Sequence, residues 1–128
     1  VVVIDTHVLL HDALDPGRVS AKARRALEEH EGELAASDIS LWEMAMLIAK
    51  GRVKPGADAG LFIERILEAR RIAVLPVTPR IAVLSQSDLF EHRDPADRII
   101  AATALEHRAP LVTGDAELRG VKGLKTIW

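Results

Sequence analysis

The sequence predicts an α/β fold, a three-layer α/β/α sandwich with a mainly parallel central sheet. Three observations predict it. Five short apolar runs, at 1–4, 34–37, 72–77, 111–113 and 124–128, read as strands. Helical stretches with their own start and stop residues separate these runs, and strands alternating with helices imply a parallel sheet with helices on both faces. The length, 128 residues, suits a single domain over 1–128. A chain of that size buries roughly two-thirds of the surface its unfolded form exposes.

The elements follow in order. Val1-Val2-Val3-Ile4 is an unbroken β-branched run ending at Asp5, the mark of a buried parallel strand. Residues 6–13 are apolar enough to begin a helix, and Asp15-Pro16-Gly17 is a turn. Ser20 caps a polar, alanine-rich helix over 21–31, which Gly32 ends. After the strand at 34–37, Ser40 opens a helix running to Lys50, closed by Gly51. That helix is apolar on nearly every side, so the expectation is burial, with Trp42 in the core. Pro55-Gly56 breaks the chain before an amphipathic helix over 58–71. The strand at 72–77 is weakened at its end by Pro76. Thr78-Pro79 starts a helix to about Leu89, and Asp94-Pro95 starts another to about His107. The strand at 111–113, a short helix over 116–119 and the strand at 124–128 complete the chain. No repeat, linker or low-complexity stretch interrupts the pattern.

Composition narrows the chemistry. Hydrophobic residues make up 48% and charged residues 28%, the balance of a globular protein rather than a disordered one. No apolar run reaches the ~18 residues of a membrane span, and no signal peptide is visible. The chain has no cysteine, which excludes disulfides, thiolate nucleophiles and cysteine-bearing zinc sites, and fits a cytoplasmic location. The net charge of −2 argues against binding nucleic acid through phosphate contacts alone. It does not argue against a nuclease, because divalent ions on a carboxylate cluster present positive charge to a phosphate.

Such a cluster is what the pattern places together. Asp5 directly follows the first strand, and Asp115 lies just beyond the strand at 111–113. In a parallel sheet both fall at the carboxyl edge, where ligands of this architecture bind. The helix that begins at Pro95 must run back from that edge, which brings Asp94 and Asp97 to it. Glu43, at the start of a helix that follows a strand, arrives by the same logic. Crowded carboxylates repel one another and take raised pKa values. A hard divalent cation such as Mg²⁺ or Mn²⁺ relieves the repulsion. One or two such ions activate a water and stabilise the leaving oxygen of a phosphodiester.

All of these acids but Asp5 also have a plainer role open to them. Ser40-x-x-Glu43 is a capping box, Asp94 and Asp97 suit a helix start, and Asp115 suits the N-cap of the short helix. Asp5, ending a buried strand, has no capping task. His7 and His11 are four apart and could share a helix face, but two histidines make a poor metal site without a third ligand. His7 lies near enough to Asp5 to approach substrate. His30, His92 and His107 read as solvated, and Lys50, Arg52 and Lys54 as a basic stretch that is either solvated or touches RNA. No phosphate-binding glycine loop and no GxSxG nucleophile elbow occurs.

At these residues the chain resembles the PIN-domain ribonucleases, and within them the VapC-type toxins of bacterial toxin–antitoxin pairs. The resemblance runs through Val3-Ile4-Asp5-Thr6-His7, Ser37-Asp38-Ile39-Ser40-Leu41-Trp42-Glu43, and His92-Arg93-Asp94-Pro95-Ala96-Asp97-Arg98 with the alanine-rich helix behind it. It closes with Leu111-Val112-Thr113-Gly114-Asp115 and Thr126-Ile127-Trp128, so it covers essentially the whole chain. It implies a PIN-like fold and catalytic, metal-binding acids at Asp5, Glu43, Asp97 and Asp115. Asp94 matches a frequent extra acid in the same loop, one that stands behind the metal ligands or starts the helix. Thr6, Ser40 and Thr113 match polar neighbours that orient metal-bound water. It further implies Mg²⁺ or Mn²⁺, an RNA substrate, a homodimer and a small cognate antitoxin that masks the site. His11 is a departure, since close relatives often carry a large aromatic residue there.

Two other readings compete. An aspartyl-nucleophile phosphatase needs a second acid two residues after Asp5, where His7 stands instead. A catalytically inactive metal- or partner-binding module would share the acid cluster and cut nothing.

Overall fold

The computed structural model describes residues 1–91 and 94–128, so the expectation for His92 lies outside the described residues. The elements are β1 (Val2–Ile4), α1 (Thr6–Leu14), a 3-10 turn (Pro16–Arg18), α2 (Ala21–Glu29), β2 (Leu34–Ser37), α3 (Ile39–Ala49) and α4 (Ala59–Ala69). They continue with β3 (Ala73–Leu75), α5 (Pro79–Leu84), α6 (Pro95–Glu106), β4 (Leu111–Val112), α7 (Ala116–Arg119) and β5 (Thr126–Ile127). The strands pair in the order β3-β2-β1-β4-β5, and every pairing is parallel.

Alternation along the strands sorts two cores. Val2 and Ile4 face a layer made by Leu9, Leu27, Met44 and Phe62 from α1 to α4. Val3, between them, faces the opposite layer, with Ile81, Ile100 and Leu118 from α5, α6 and α7. On β4, Leu111 joins the second layer and Val112 the first. One β-branched run thus serves two cores because successive side chains of a strand point to opposite faces. The three-layer α/β/α sandwich expected from the sequence is the fold observed.

The order of the strands positions the site. The chain moves outward from β1 to β2 and β3, then returns to the other side of β1 for β4 and β5. The direction of winding therefore reverses between β1 and β4. Asp5 follows one of these two strands, and Thr113 to Asp115 follow the other, with Ile4 and Val112 in register. A crevice opens at such a reversal, outside the carboxyl ends of the strands.

Several boundaries differ from the sequence reading, each for a local reason. The helix expected to reach Leu89 ends at Leu84, where the Ser85 hydroxyl donates to the Ala82 carbonyl at 2.7 Å. The run Ser85-Gln86-Ser87-Asp88 continues as turns, since short polar side chains compete with the helix for backbone groups. α4 stops at Ala69, and Arg71 adopts φ 51° to turn the chain into β3. An ion pair fixes this corner: Arg70 Nε and Nη2 donate to the two Asp12 oxygens at 2.5 and 2.9 Å, tying α4 to α1. α3 is not buried all round. Ser40, Glu43, Met44 and Leu47 are buried, but Trp42 is 59% exposed, with Ala45 and Ala49 also at the surface. An outer-layer helix buries only the side that meets the sheet and its neighbours, whatever its composition.

Candidate active site

Asp5 occupies the N-cap place of α1 without capping it, and is only 3% exposed. The Thr113 hydroxyl donates to its Oδ2 at 2.8 Å and accepts from the Asp115 backbone N–H at 3.1 Å. One threonine therefore locks the ends of β1 and β4 together. The other Asp5 oxygen, Oδ1, is buried without a hydrogen-bond partner among the described residues. Burial raises the Asp5 pKa above its ordinary value of 3.8, and the nearby Asp115 carboxylate raises it further, against the Thr113 hydrogen bond and His7.

Glu43 reaches the same edge from the first turns of α3 and is buried. The capping box expected with Ser40 does not form. The N-cap of α3 is Asp38, and the Ser40 hydroxyl instead accepts from Thr6 Oγ1 at 2.8 Å, a buried link between α1 and α3. Glu43 is thereby released from capping, and its Oε1 has no hydrogen-bond partner among the described residues. Its pKa is raised above 4.5, chiefly by burial, with the Asp5 and Asp94 charges adding and Thr6 and His7 opposing.

α6 supplies the remaining pair. Asp94 caps it, Oδ1 accepting from the N–H groups of Ala96 at 2.9 Å and Asp97 at 3.3 Å. Asp97, buried in the first turn, follows one turn behind. Carboxylate oxygens of Glu43, Asp94 and Asp97 lie within 4.8 Å of one another. The structure thus places Asp94 inside the tightest group of acids rather than behind it. Asp115 caps α7, its Oδ1 accepting from Glu117 N at 2.9 Å and Leu118 N at 3.1 Å. It belongs to the edge through Thr113 and its proximity to Asp5, not to the three-carboxylate group. Capping and membership of the acidic edge coexist in both Asp94 and Asp115.

The histidines divide as follows. His7 is exposed and close enough to act on the charges of Asp5 and Glu43. His11 is half-buried with its ring centroid 6.4 Å from that of His7, and its pKa is lowered by burial, then by Arg18. His30 pairs with Glu33 at 3.2 Å, and His107 is exposed. The exposed Lys50, Arg52 and Lys54 lie beyond the far end of α3, roughly 10 Å or more along its axis from Glu43. Sequence reading passed over Arg18 and gave Trp128 no role, yet both line a cavity that opens onto Asp5 and Asp115. The only sequence signal was the terminal Thr126-Ile127-Trp128 block.

The raised pKa values set a pH dependence for the metal-free protein. Folded Asp5 and Glu43 hold their protons more tightly than their unfolded counterparts. Above the unfolded values of 3.8 and 4.5 the folded state carries the excess protons, so stability falls as pH rises through the raised folded values. Glu43→Gln removes one such group. In chelator, its gain in melting temperature over the native chain should be small near pH ~4 and grow toward neutrality. A gain that shrinks with rising pH would contradict the raised Glu43 pKa.

Carboxylates at the carboxyl edge of a parallel sheet, two of them buried with an oxygen that lacks a partner among the described residues, are the arrangement of a small α/β nuclease of the carboxylate type. The sequence matches the PIN domain over residues 2–124, and the chain belongs to the PIN-domain family, in its VapC ribonuclease branch. It is 35% identical to Ribonuclease VapC22 of Mycobacterium tuberculosis over 130 aligned positions, covering 99% of this chain and 98% of that protein. Among solved structures it resembles VapBC2 from Rickettsia felis bound to a promoter DNA fragment, with TM-score 0.72 and 17% identity over 97% of this chain and 95% of that one. It also resembles a toxin–antitoxin complex from Klebsiella pneumoniae, with TM-score 0.65 and 25% identity over 97% and 95% of the two chains. No helix among the described residues is long and apolar enough to cross a membrane.

Proposed function

We propose that this VapC-type ribonuclease hydrolyses RNA phosphodiester bonds at the acidic edge, with Glu43, Asp94 and Asp97 holding Mg²⁺ or Mn²⁺ and Asp5 and Asp115 completing the site. The observation that carries the assignment is the convergence of Glu43, Asp94 and Asp97 oxygens within 4.8 Å. An all-oxygen, all-acid donor set suits a hard divalent cation. Glu43 Oε1, buried without a hydrogen-bond partner among the described residues, fits the same group, because a buried anionic oxygen is costly unless a cation meets it. Such an ion, when bound, supplies Lewis-acid activation of water and charge stabilisation at the phosphate.

The chain's own residues do the rest. Thr113 holds Asp5 by Oδ2 and leaves Oδ1 as the atom to accept the proton of the attacking water. Thr6 and Ser40, hydrogen-bonded to each other, brace α1 against α3 and so set Glu43 relative to Asp5. They are positioning residues in this scheme.

The VapC22 relationship and the likeness to toxin–antitoxin complexes support a toxin role, with a small antitoxin as protein partner. A homodimer and a cytoplasmic location complete the reading, the latter supported by the absence of cysteine.

The test is cleavage of total cellular RNA with Mg²⁺ or Mn²⁺, with and without chelator. Cleavage should require the metal and stop on chelation, and cutting that persists in chelator would overturn the metal assignment. Millimolar Mn²⁺ should also raise the melting temperature, since a ligand at 100 times its Kd stabilises by about 2.7 kcal/mol. A melting curve indifferent to Mn²⁺ would count against the carboxylate site.

A further inference from the structure

We propose that the cavity beside Asp5 and Asp115, walled by His7, His11, Arg18 and Trp128, is a subsite for one unpaired nucleotide of the RNA substrate. This rests on the ribonuclease reading and adds where the strand lies relative to the acids.

Position comes first. The cavity has Asp5 and Asp115 in its lining but none of Glu43, Asp94 and Asp97. It therefore flanks the three-carboxylate group, and a nucleotide seated in it delivers the adjoining phosphate to the acids. Its volume of about 340 Å³ falls within the ~300–1,000 Å³ of small-ligand sites, enough for one nucleotide and too little for a duplex.

Two imidazole rings, an indole and a guanidinium, all planar, line the cavity. The His7 and His11 rings stand 6.4 Å apart with 54° between their planes. Trp128 packs in part against the core beneath α1 to α4 and stays half-exposed. Gly114 is what lets the indole lie there. A Cβ at that position would sit 2.8 Å from two indole carbons and 3.1 Å from a third, closer than real contacts allow. The glycine is thus required by close approach, and the β4–α7 turn and the indole form one continuous wall.

The charge is complementary as well. Arg18 ends the 3-10 turn, is exposed, and has no ion-pair partner among the described residues. A planar guanidinium beside a pocket suits a phosphate oxygen pair or the face of a base. Unpaired RNA bases are recognised by stacking on aromatic rings, His included, and on Arg planes. Each such contact contributes about 1–3 kcal/mol, or roughly 5- to 150-fold in affinity.

The experiment uses the full chain carrying Trp42→Phe, which leaves Trp128 as the one indole, together with Asp97→Asn to prevent cutting. Short single-stranded oligoadenylate, oligouridylate and oligocytidylate are titrated in Mg²⁺ while Trp128 emission is followed. At least one of them should quench the indole. His11→Ala and Arg18→Ala should each weaken binding roughly five- to tenfold, with unchanged melting temperatures. In the cutting-competent chain the same two changes should raise KM more than they lower kcat, or shift the positions cut. Gly114→Ala, which pushes the indole away, should act in the same direction. Unaltered Trp128 emission, with cleavage positions and KM unchanged in both surface variants, would overturn the subsite while leaving the ribonuclease reading intact. Quenching by oligonucleotides in a native chain that cuts no RNA would do the reverse.

Discussion

Asp97→Asn is expected to lower RNA cleavage by on the order of 10³-fold, measured as initial rates on a fluorogenic RNA in Mn²⁺ or Mg²⁺. A loss of that size follows when a group acting on the transition state through charge is neutralised. Asp97 is the choice because it is buried in the three-carboxylate group and is not the N-cap of α6, which Asp94 is. The amide is nearly isosteric, so the helix start is undisturbed. A second readout separates chemistry from structure. The Mn²⁺-induced rise in melting temperature should shrink in Asp97→Asn if the carboxylate is a metal ligand, since the amide carries no charge. Full activity in the variant would remove Asp97 from the site. Loss of activity with an undiminished Mn²⁺ response would move it from ligand to another role.

The second large effect concerns stability. Ile100→Ala is expected to destabilise the protein by about 2–5 kcal/mol in denaturant unfolding, against about 0.5–1.5 kcal/mol for Ile100→Val. Ile100 is fully buried on α6 and packs in the core between that helix and the sheet. The cavity left by truncation cannot collapse easily, because Ala104, one turn along the same helix, is also fully buried and has no side-chain length to fill it. The loss is a large share of the ~5–15 kcal/mol that holds a domain of ordinary stability. α6 also carries Asp94 and Asp97, so a shifted helix should weaken the Mn²⁺ response too. A cost below that of the valine variant would mean that this core is not close-packed.

The alternation of strands and helices was legible because it is written in local terms. Val1-Val2-Val3-Ile4 ends at an acid, Ser20 and Asp58 cap their helices, and Pro79 and Pro95 open theirs. Boundaries were less legible where competing local forces are close in size. The turn after Leu84 depends on one serine hydroxyl reaching one carbonyl. The exposure of Trp42 was illegible, because an apolar helix carries no sign of which side its neighbours leave uncovered. The double role of Glu43 misled in the same way. Ser40-x-x-Glu43 has the spacing of a capping box, but Thr6, 34 positions away in sequence, claims the serine.

By itself the sequence determined the class of the fold, the acids available to it and the exclusion of thiol chemistry. These depend on residue type and on spacing along the chain. Only the tertiary structure decided which acids share a cluster. It moved Asp94 in with Glu43 and Asp97, tied Asp5 to Thr113, and set Asp115 beside Asp5 while leaving it the cap of α7. It also assembled His7, His11, Arg18 and Trp128 around one cavity. The physical reason is the reversal of winding between β1 and β4, which brings residues more than 100 positions apart within one hydrogen bond.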